Sequence, residues 1–171
     1  MNNKQLYKKP EMIVALSALL ISVITAVIGV YSAYIDRAYA RASVWPRLEV
    51  FQSFDTDSIE YGVTNNGTGP AIIKHAIVRY NNEVIHQWRD IPDLPQFVQS
   101  HIGQRILPSK LSITPIVIED NEVSKLQKVW RLIEIELCYC SIYDECWQTD
   151  KTNQPTLVEA CIVSKSDRFL Q

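Results

Sequence analysis

The chain has 171 residues and a net charge of −2, which is room for one ordinary domain and an appendage but not for two large enzyme domains. With so even a balance there is no basic stripe, which argues against a nucleic-acid partner. Apolar residues are spread unevenly, and residues 12–34 carry no charged side chain at all.

That run, MIVALSALLISVITAVIGVYSAY, is long enough as a helix to cross the roughly 30 Å hydrocarbon core of a bilayer. It reads as a transmembrane helix. Pro10 suits the first helical turn, where its missing N–H is not needed, and Glu11 suits the positive end of the helix dipole. Tyr7 on one flank and Tyr31, Tyr34 and Tyr39 on the other fit the two interfaces. Ala38-Tyr39-Ala40 has the form of a signal-peptidase site, but the apolar stretch exceeds the roughly 7–15 residues of a signal peptide's core, and Asp36 and Arg37 crowd the position. An uncut anchor is therefore expected. Lys4, Lys8 and Lys9 before the helix balance Arg37, Arg41 and Arg47 after it, so charge alone leaves the orientation open.

Within the helix, Ala18, Ser22 and Ala26 recur every fourth residue, as do Thr25, Gly29 and Ala33 on an adjoining stripe. Small residues at this spacing let two helices approach closely. They are the expected helix-packing positions, for self-association or a membrane partner. The helix is expected to run on past the bilayer until Pro46 stops it. The resulting division is a cytoplasmic tail (1–9), a membrane helix with its extension (10–44) and a folded domain (45–171).

The domain has the texture of short strands separated by turns. Strands are expected at 47–53 and 57–64, followed by a loop, Asn65-Asn66-Gly67-Thr68-Gly69-Pro70, in which both glycines and an asparagine are able to take positive φ. Residues 71–80 and 83–88 flank Asn81-Asn82, which suits a type I′ hairpin. In its register His75 opposes Trp88 and Ile77 opposes His86, placing the two histidines diagonally on one face. They lack a third ligand, so no metal is expected there. Pro92 and Pro95 interrupt the next segment, where Phe97, Val98 and His101 fit one face of a short helix. A strand follows at 111–118, with Pro115 marking an edge or a bulge. Val123, Leu126 and Trp130 fit two helical turns, and strands at 131–141, 146–148 and 156–163 complete about seven. Seven short strands in a domain of this size point to an immunoglobulin-like two-sheet β-sandwich, a mainly β fold behind a single transmembrane helix.

The stretch YGVTNNGTGPAIIKHAIVRYNNEVI, residues 61–85, resembles the V-x-N-x-G-x-G-x-A strand-turn-strand of Ig-like sandwiches in bacterial envelope proteins. As a whole the chain resembles small single-span bacterial proteins that carry such a domain. The resemblance implies adhesion or assembly rather than catalysis and names no functional residue.

Three of the four cysteines fall in CYCSIYDECW, residues 138–147. Alternation along the strand at 131–141 puts Ile133, Ile135, Leu137 and Tyr139 on a core face, and Glu134, Glu136, Cys138 and Cys140 on a polar one. In the last strand Val158, Ala160 and Ile162 form the apolar side and Cys161 points the other way. A turn near residues 142–144 sets Cys140 opposite Cys146 and leaves Cys138 to reach Cys161, one of three possible connectivities. Four thiolates also suit zinc, but C-x-C-x5-C-x14-C lacks paired C-x2-4-C knuckles, and without C-x-x-C a redox catalyst is not indicated. Disulfides need an oxidising compartment, which turns the topology to N-terminus in, domain out.

No nucleophile elbow, metalloprotease helix or phosphate loop is present, and Glu134 and Glu136 read as solvated. The Asn66-Gly67-Thr68 sequon is explained by turn geometry. No cofactor is expected. The anticipated work is protein–protein interaction at the envelope, as an accessory subunit or partner-binding protein in the inner membrane, with Trp88, Tyr80 and residues 89–105 as contact elements. The alternative is a phage- or mobile-element-encoded exclusion or immunity protein acting at the membrane.

Overall fold

The structure, a computed structural model, describes residues 10–119 and 128–171. It divides into two compact units between Ala42 and Ser43.

The first is one helix, α1 (Pro10–Ser43), of 34 residues, about 51 Å long at the α-helical rise. None of its residues is buried, and it is long and apolar enough to cross a membrane. Its central hydroxyls are spent on its own backbone: Ser22 Oγ donates to the Ala18 carbonyl at 2.8 Å and Thr25 Oγ1 to that of Ile21 at 2.7 Å. Satisfied in this way, they add little polarity to the helix surface. A Cβ added at Gly29 would meet nothing within 4 Å, so the small-residue positions Ala18, Ser22, Ala26, Gly29 and Ala33 all lie on open helix surface.

The second unit is a pair of antiparallel sheets. Its strands are β1 (Leu48–Phe54), β2 (Ser58–Asn65), β3 (Ala71–Tyr80), β4 (Glu83–Ile85), β5 (Phe97–Gln99), β6 (Arg105–Leu107), β7 (Ser112–Glu119), β8 (Ile133–Cys140), β9 (Cys146–Thr149) and β10 (Thr156–Val158). One sheet has the order β1-β2-β7-β5 and the other β10-β9-β8-β3-β4, with β6 also pairing β3. Both contribute to a single core, including Leu48, Ile59 and Ile116 from the first and Ile73, Ile135 and Tyr139 from the second. Tyr61 joins them directly: its hydroxyl donates to the Ile133 carbonyl at 2.8 Å and its ring lies 5.4 Å from that of Trp130. Burial pushes the Tyr61 phenol up to about 12, so it stays a neutral donor at any physiological pH.

The β3–β4 hairpin turns on Asn81 and Asn82, with φ of 49° and 67°, the paired positive values of a type I′ turn. Pro115 sits where the β2–β7 register shifts opposite Gly62, between the pairs Tyr61↔Ile116 and Val63↔Ile113. A bulge there spares the ladder the hydrogen bond proline cannot donate.

Other sequence expectations are corrected. There are ten strands among the described residues against about seven expected; the unexpected ones, β5 and β6, have three residues each, too few to show alternation. β4 stops at Ile85, since the Asp90 carboxylate accepts from the backbone N–H groups of His86 and Gln87 and folds Trp88–Asp90 into a 3-10 turn. His86 and Trp88 therefore leave the ladder and do not face Ile77 and His75. Phe97–Gln99 is a strand, paired with Gln99 opposite Ile116; its two preceding prolines favour an extended approach over a helix. The last strand ends at Val158, and Ile162, assigned above to an apolar side, is 87% exposed. Residues 128–130 are helical, whereas Val123 and Leu126 lie outside the described residues.

The glycines of the 65–70 loop also differ from expectation, for none has a positive φ. They are needed for space: a Cβ at Gly67 would meet the backbone of Trp45, Pro46 and Arg47, and one at Gly69 the backbone of Val44. Asn65, fully buried, ties this loop together. Its Oδ1 accepts from the N–H groups of Arg47 (3.2 Å) and Gly67 (3.0 Å), and its Nδ2 donates to the carbonyls of Gly69 (2.8 Å) and Leu107 (3.0 Å).

Candidate functional site

The chemistry-bearing residues gather on the outer face of β8. Cys138 and Cys140 lie two positions apart there, and Cys140 is the register partner of Cys146 on β9. The connecting turn holds that register. Ser141 donates its N–H to the Glu145 carbonyl at 2.8 Å, and its buried hydroxyl accepts from the N–H groups of Tyr143 and Glu145 at 3.1 and 3.3 Å. Asp144 takes a φ of 59°, which Asp tolerates better than most residues.

All four sulfurs stand at bonding distance in two pairs, Cys138–Cys161 at 2.00 Å and Cys140–Cys146 at 2.09 Å. Across the pairs, Cys140 Sγ lies only 3.8 Å from Cys161 Sγ. The sulfurs of Cys140, Cys146 and Cys161 all fall within 4.8 Å of one another. Alternation on β8 places the side chains as the sequence implied, with Ile133, Ile135, Leu137 and Tyr139 in the core. The opposite face, however, is not an open surface. Cys138, Cys140 and Cys146 are 3%, 1% and 6% exposed, and only Cys161 is partly accessible. Bonding to residue 161 carries chain over the strand, a long-range contact that a local pattern does not reveal.

The two glutamates of this face are ion-paired, Glu136 with Arg79 at 3.3 Å and Glu134 with Lys151. Both pairs remain partly exposed, where such contacts are worth little. His75 is the register partner of Cys138 and is 5% exposed. Burial, followed by the positive charge of Arg168, pulls its imidazole below the ordinary 6.5, with Glu136 opposing. His75 is thus held neutral against the disulfide.

The sign of the resulting pH dependence follows from linkage. The unfolded chain takes up a proton on His75 at a higher pH than the folded one, so stability is fully present above 6.5 and is lost as pH falls through that value toward the folded pKa. Asp90 and Asp150 are held below 3.8. For Asp90, desolvation pushes upward but is outweighed by hydrogen bonds from the Gln87 side chain and the His86 and Gln87 backbone; for Asp150, hydrogen bonds from Thr152 lead. Their stabilisation persists until more acidic conditions. Melting temperature should therefore drop between about pH 7 and about pH 5 in the wild type. In His75→Gln that step should be absent; an equal drop in both proteins would remove His75 as its source.

The anticipated contact residues divide. Trp88 is fully buried, its ring edge-on to Phe169 with centroids 4.8 Å apart, and so is a core residue rather than a contact one. Tyr80 is half-buried against the core. Residues 91–97, by contrast, border with Arg89 and Gln99 an open cleft of about 790 Å³.

Edge strands bear exposed apolar side chains, including Val98 on β5 (69%), Leu157 on β10 (73%) and Ile106 on β6 (61%). The β1 edge is blunted instead. The Asn153 side-chain amide accepts from Val50 N–H at 2.8 Å and donates to its carbonyl at 3.0 Å, taking the place of a neighbouring strand. Sequence reasoning passed over Asn153 and did not foresee what Asn65 and His75 pack against. An asparagine between two strands reads as a turn residue, and only the fold shows what its amide reaches.

No protein-family model and no curated protein matches the chain.

Proposed function

We propose that this is a membrane-anchored interaction module whose β domain is exported to the periplasmic or extracellular side, working as an accessory subunit or partner-binding protein of the cell envelope. The observation that carries the reading is the cluster of four cysteines paired at bonding distance in a domain that follows a membrane-length helix. Paired structural cysteines persist where the environment is oxidising. With the domain exported, a single crossing by the helix leaves its N-terminal side in the cytoplasm, as in a single-pass inner-membrane protein.

The domain is an immunoglobulin-like sandwich on this reading. Strand order supports it: β1-β2-β7-β5 runs as A-B-E-D, and β9-β8-β3-β4 as G-F-C-C′, with β6 and β10 as additions. The disulfides join β8 to its own sheet and to residue 161, a departure from the inter-sheet bridge of antibody domains. Such sandwiches bind through loops and unpaired edges. Here the β5 and β10 edges offer backbone groups together with exposed Val98 and Leu157, the requirements for a partner strand to add. No catalytic role and no cofactor is assigned. The open small-residue stripe on α1 is a second contact surface, for a membrane partner or a second copy of the chain.

The test is a thiol-reactive mass tag applied to native membranes under denaturing conditions, with and without prior reduction. No tags before reduction and four after are expected; four tags without reduction would put the domain in the cytosol and overturn the reading. Photo-crosslinkers placed at residues 98 and 157 should then give a discrete adduct in membranes, and the interaction role fails if neither position does.

A further inference from the structure

We propose that the four cysteines form a thiol–disulfide exchange site that takes a low-molecular-weight thiol as its substrate. This goes beyond the envelope reading and does not rest on it. Two observations carry it: the 3.8 Å contact between Cys140 Sγ and Cys161 Sγ across the two bonded pairs, and the restriction of solvent access to Cys161. Disulfides exchange by thiolate attack on a sulfur through a mixed disulfide, so reach and access decide which sulfur reacts. With Cys138, Cys140 and Cys146 buried, an incoming thiolate meets Cys161 first. Its partial burial favours a small thiol over a cysteine on a folded protein.

The sequence of steps is then set by the geometry. The first thiolate attacks Cys161 Sγ; its bond to that sulfur forms, the Cys138–Cys161 bond breaks, and the electron pair leaves on Cys138, which takes a proton. A second thiolate attacks the small-molecule sulfur of the mixed disulfide, releasing the oxidised dimer of the thiol and a Cys161 thiolate. That thiolate, in contact with Cys140 Sγ, attacks it. A Cys140–Cys161 bond forms, the Cys140–Cys146 bond breaks, and Cys146 leaves with the electron pair and takes a proton. In sum two thiols become one disulfide, and the protein, reduced by two electrons, keeps one bond in a new place with thiols at Cys138 and Cys146. β8 is released from residue 161 during the mixed-disulfide stage and tied to it again at the end, through Cys140 in place of Cys138. What is freed is the cross-strand link closing the turn that carries Ile142, which is 51% exposed. Exchange therefore transmits a reduction event at Cys161 to an apolar surface turn.

Limited treatment of the full-length oxidised protein with glutathione, acid quenching, maleimide alkylation and peptide mapping will read the connectivity. Fragmentation at Tyr139 separates Cys138 from Cys140. The expected product carries two maleimides, on Cys138 and Cys146, together with a Cys140–Cys161 cross-linked peptide. If the two maleimides occur only as Cys138 with Cys161 or Cys140 with Cys146, the proposal is overturned. A Cys138→Ser variant gives an independent measurement without reductant: its single disulfide should divide between Cys140–Cys161 and Cys140–Cys146. Exclusive Cys140–Cys146 pairing in that variant, with native tryptophan fluorescence, would overturn it equally. Because both readouts are internal connectivity, their failure leaves the topology and interaction tests untouched.

Discussion

Replacing Asn65 with Leu should lower the stability of the β domain by about 4 kcal/mol, since it strips hydrogen bonds from four backbone groups at once. Arg47 N–H, Gly67 N–H and the carbonyls of Gly69 and Leu107 all end on this one side chain. Each buried group left without a partner costs about 1 kcal/mol or more, and the leucine has no atom to offer any of them. Its own backbone adds to the demand on the position, with Asn65 N–H donating to the Leu111 carbonyl and its carbonyl accepting from Lys110 N–H, both at 2.9 Å. Asn65→Asp tests the argument more finely. It retains an acceptor for the two N–H groups but turns a carboxylate oxygen toward two carbonyls, and should also destabilise. The neighbouring Asn66 is exposed and its side chain donates to the Glu49 carboxylate at 2.6 Å. Asn66→Ala should stay within about 0.5 kcal/mol of wild type. Denaturant unfolding of the full chain in detergent, followed by tryptophan fluorescence, measures all three. A midpoint for Asn65→Leu equal to that of Asn66→Ala would sink the account.

Asn65 also shows where the sequence stops being readable. The pattern Val63-x-Asn65-x-Gly67-x-Gly69-x-Ala71 is visible as a turn between two strands, and a turn is what forms. Its chemistry is not visible, because the glycines answer to the backbone at residues 44–47 and the asparagine to Leu107, all distant in sequence. What could be read in advance was governed by local terms: α1 by an uncharged run, the full extent of β3 by its hairpin asparagines, the bulge at Pro115 by the missing N–H. Where the outcome depended on cover from elsewhere, local reasoning failed. Trp88 looked like a surface aromatic until Phe169 closed over it, and the face of β8 bearing Cys138 and Cys140 looked open until residue 161 was brought onto it. A three-residue edge strand such as β5 carries too few alternations to be told from a turn of helix, and here pairing with β7 decides it.

Removing the Cys138–Cys161 bond by Cys138→Ala/Cys161→Ala should cost about 3 kcal/mol, and removing Cys140–Cys146 in the same way about 2 kcal/mol. The order follows from the chain each bond closes, 23 residues of separation against 6, since the longer loop gives the unfolded chain more freedom to lose. Paired alanines are required because a single substitution leaves a thiol within reach of the neighbouring bond. Together the two bonds supply about 5 kcal/mol, a large share of the roughly 5–15 kcal/mol by which domains are usually stable. The fully reduced domain should accordingly melt at least about 10 °C lower and become open to protease at temperatures where the oxidised form resists. Thermal unfolding of the oxidised protein, the two double variants and the reduced wild type decides the point. Equal losses from the two double variants would show that closing the longer loop is not what stabilises the domain. A reduced domain that melts with the oxidised one would remove the cysteines from its stability and leave exchange chemistry as the reason for gathering four of them on one face.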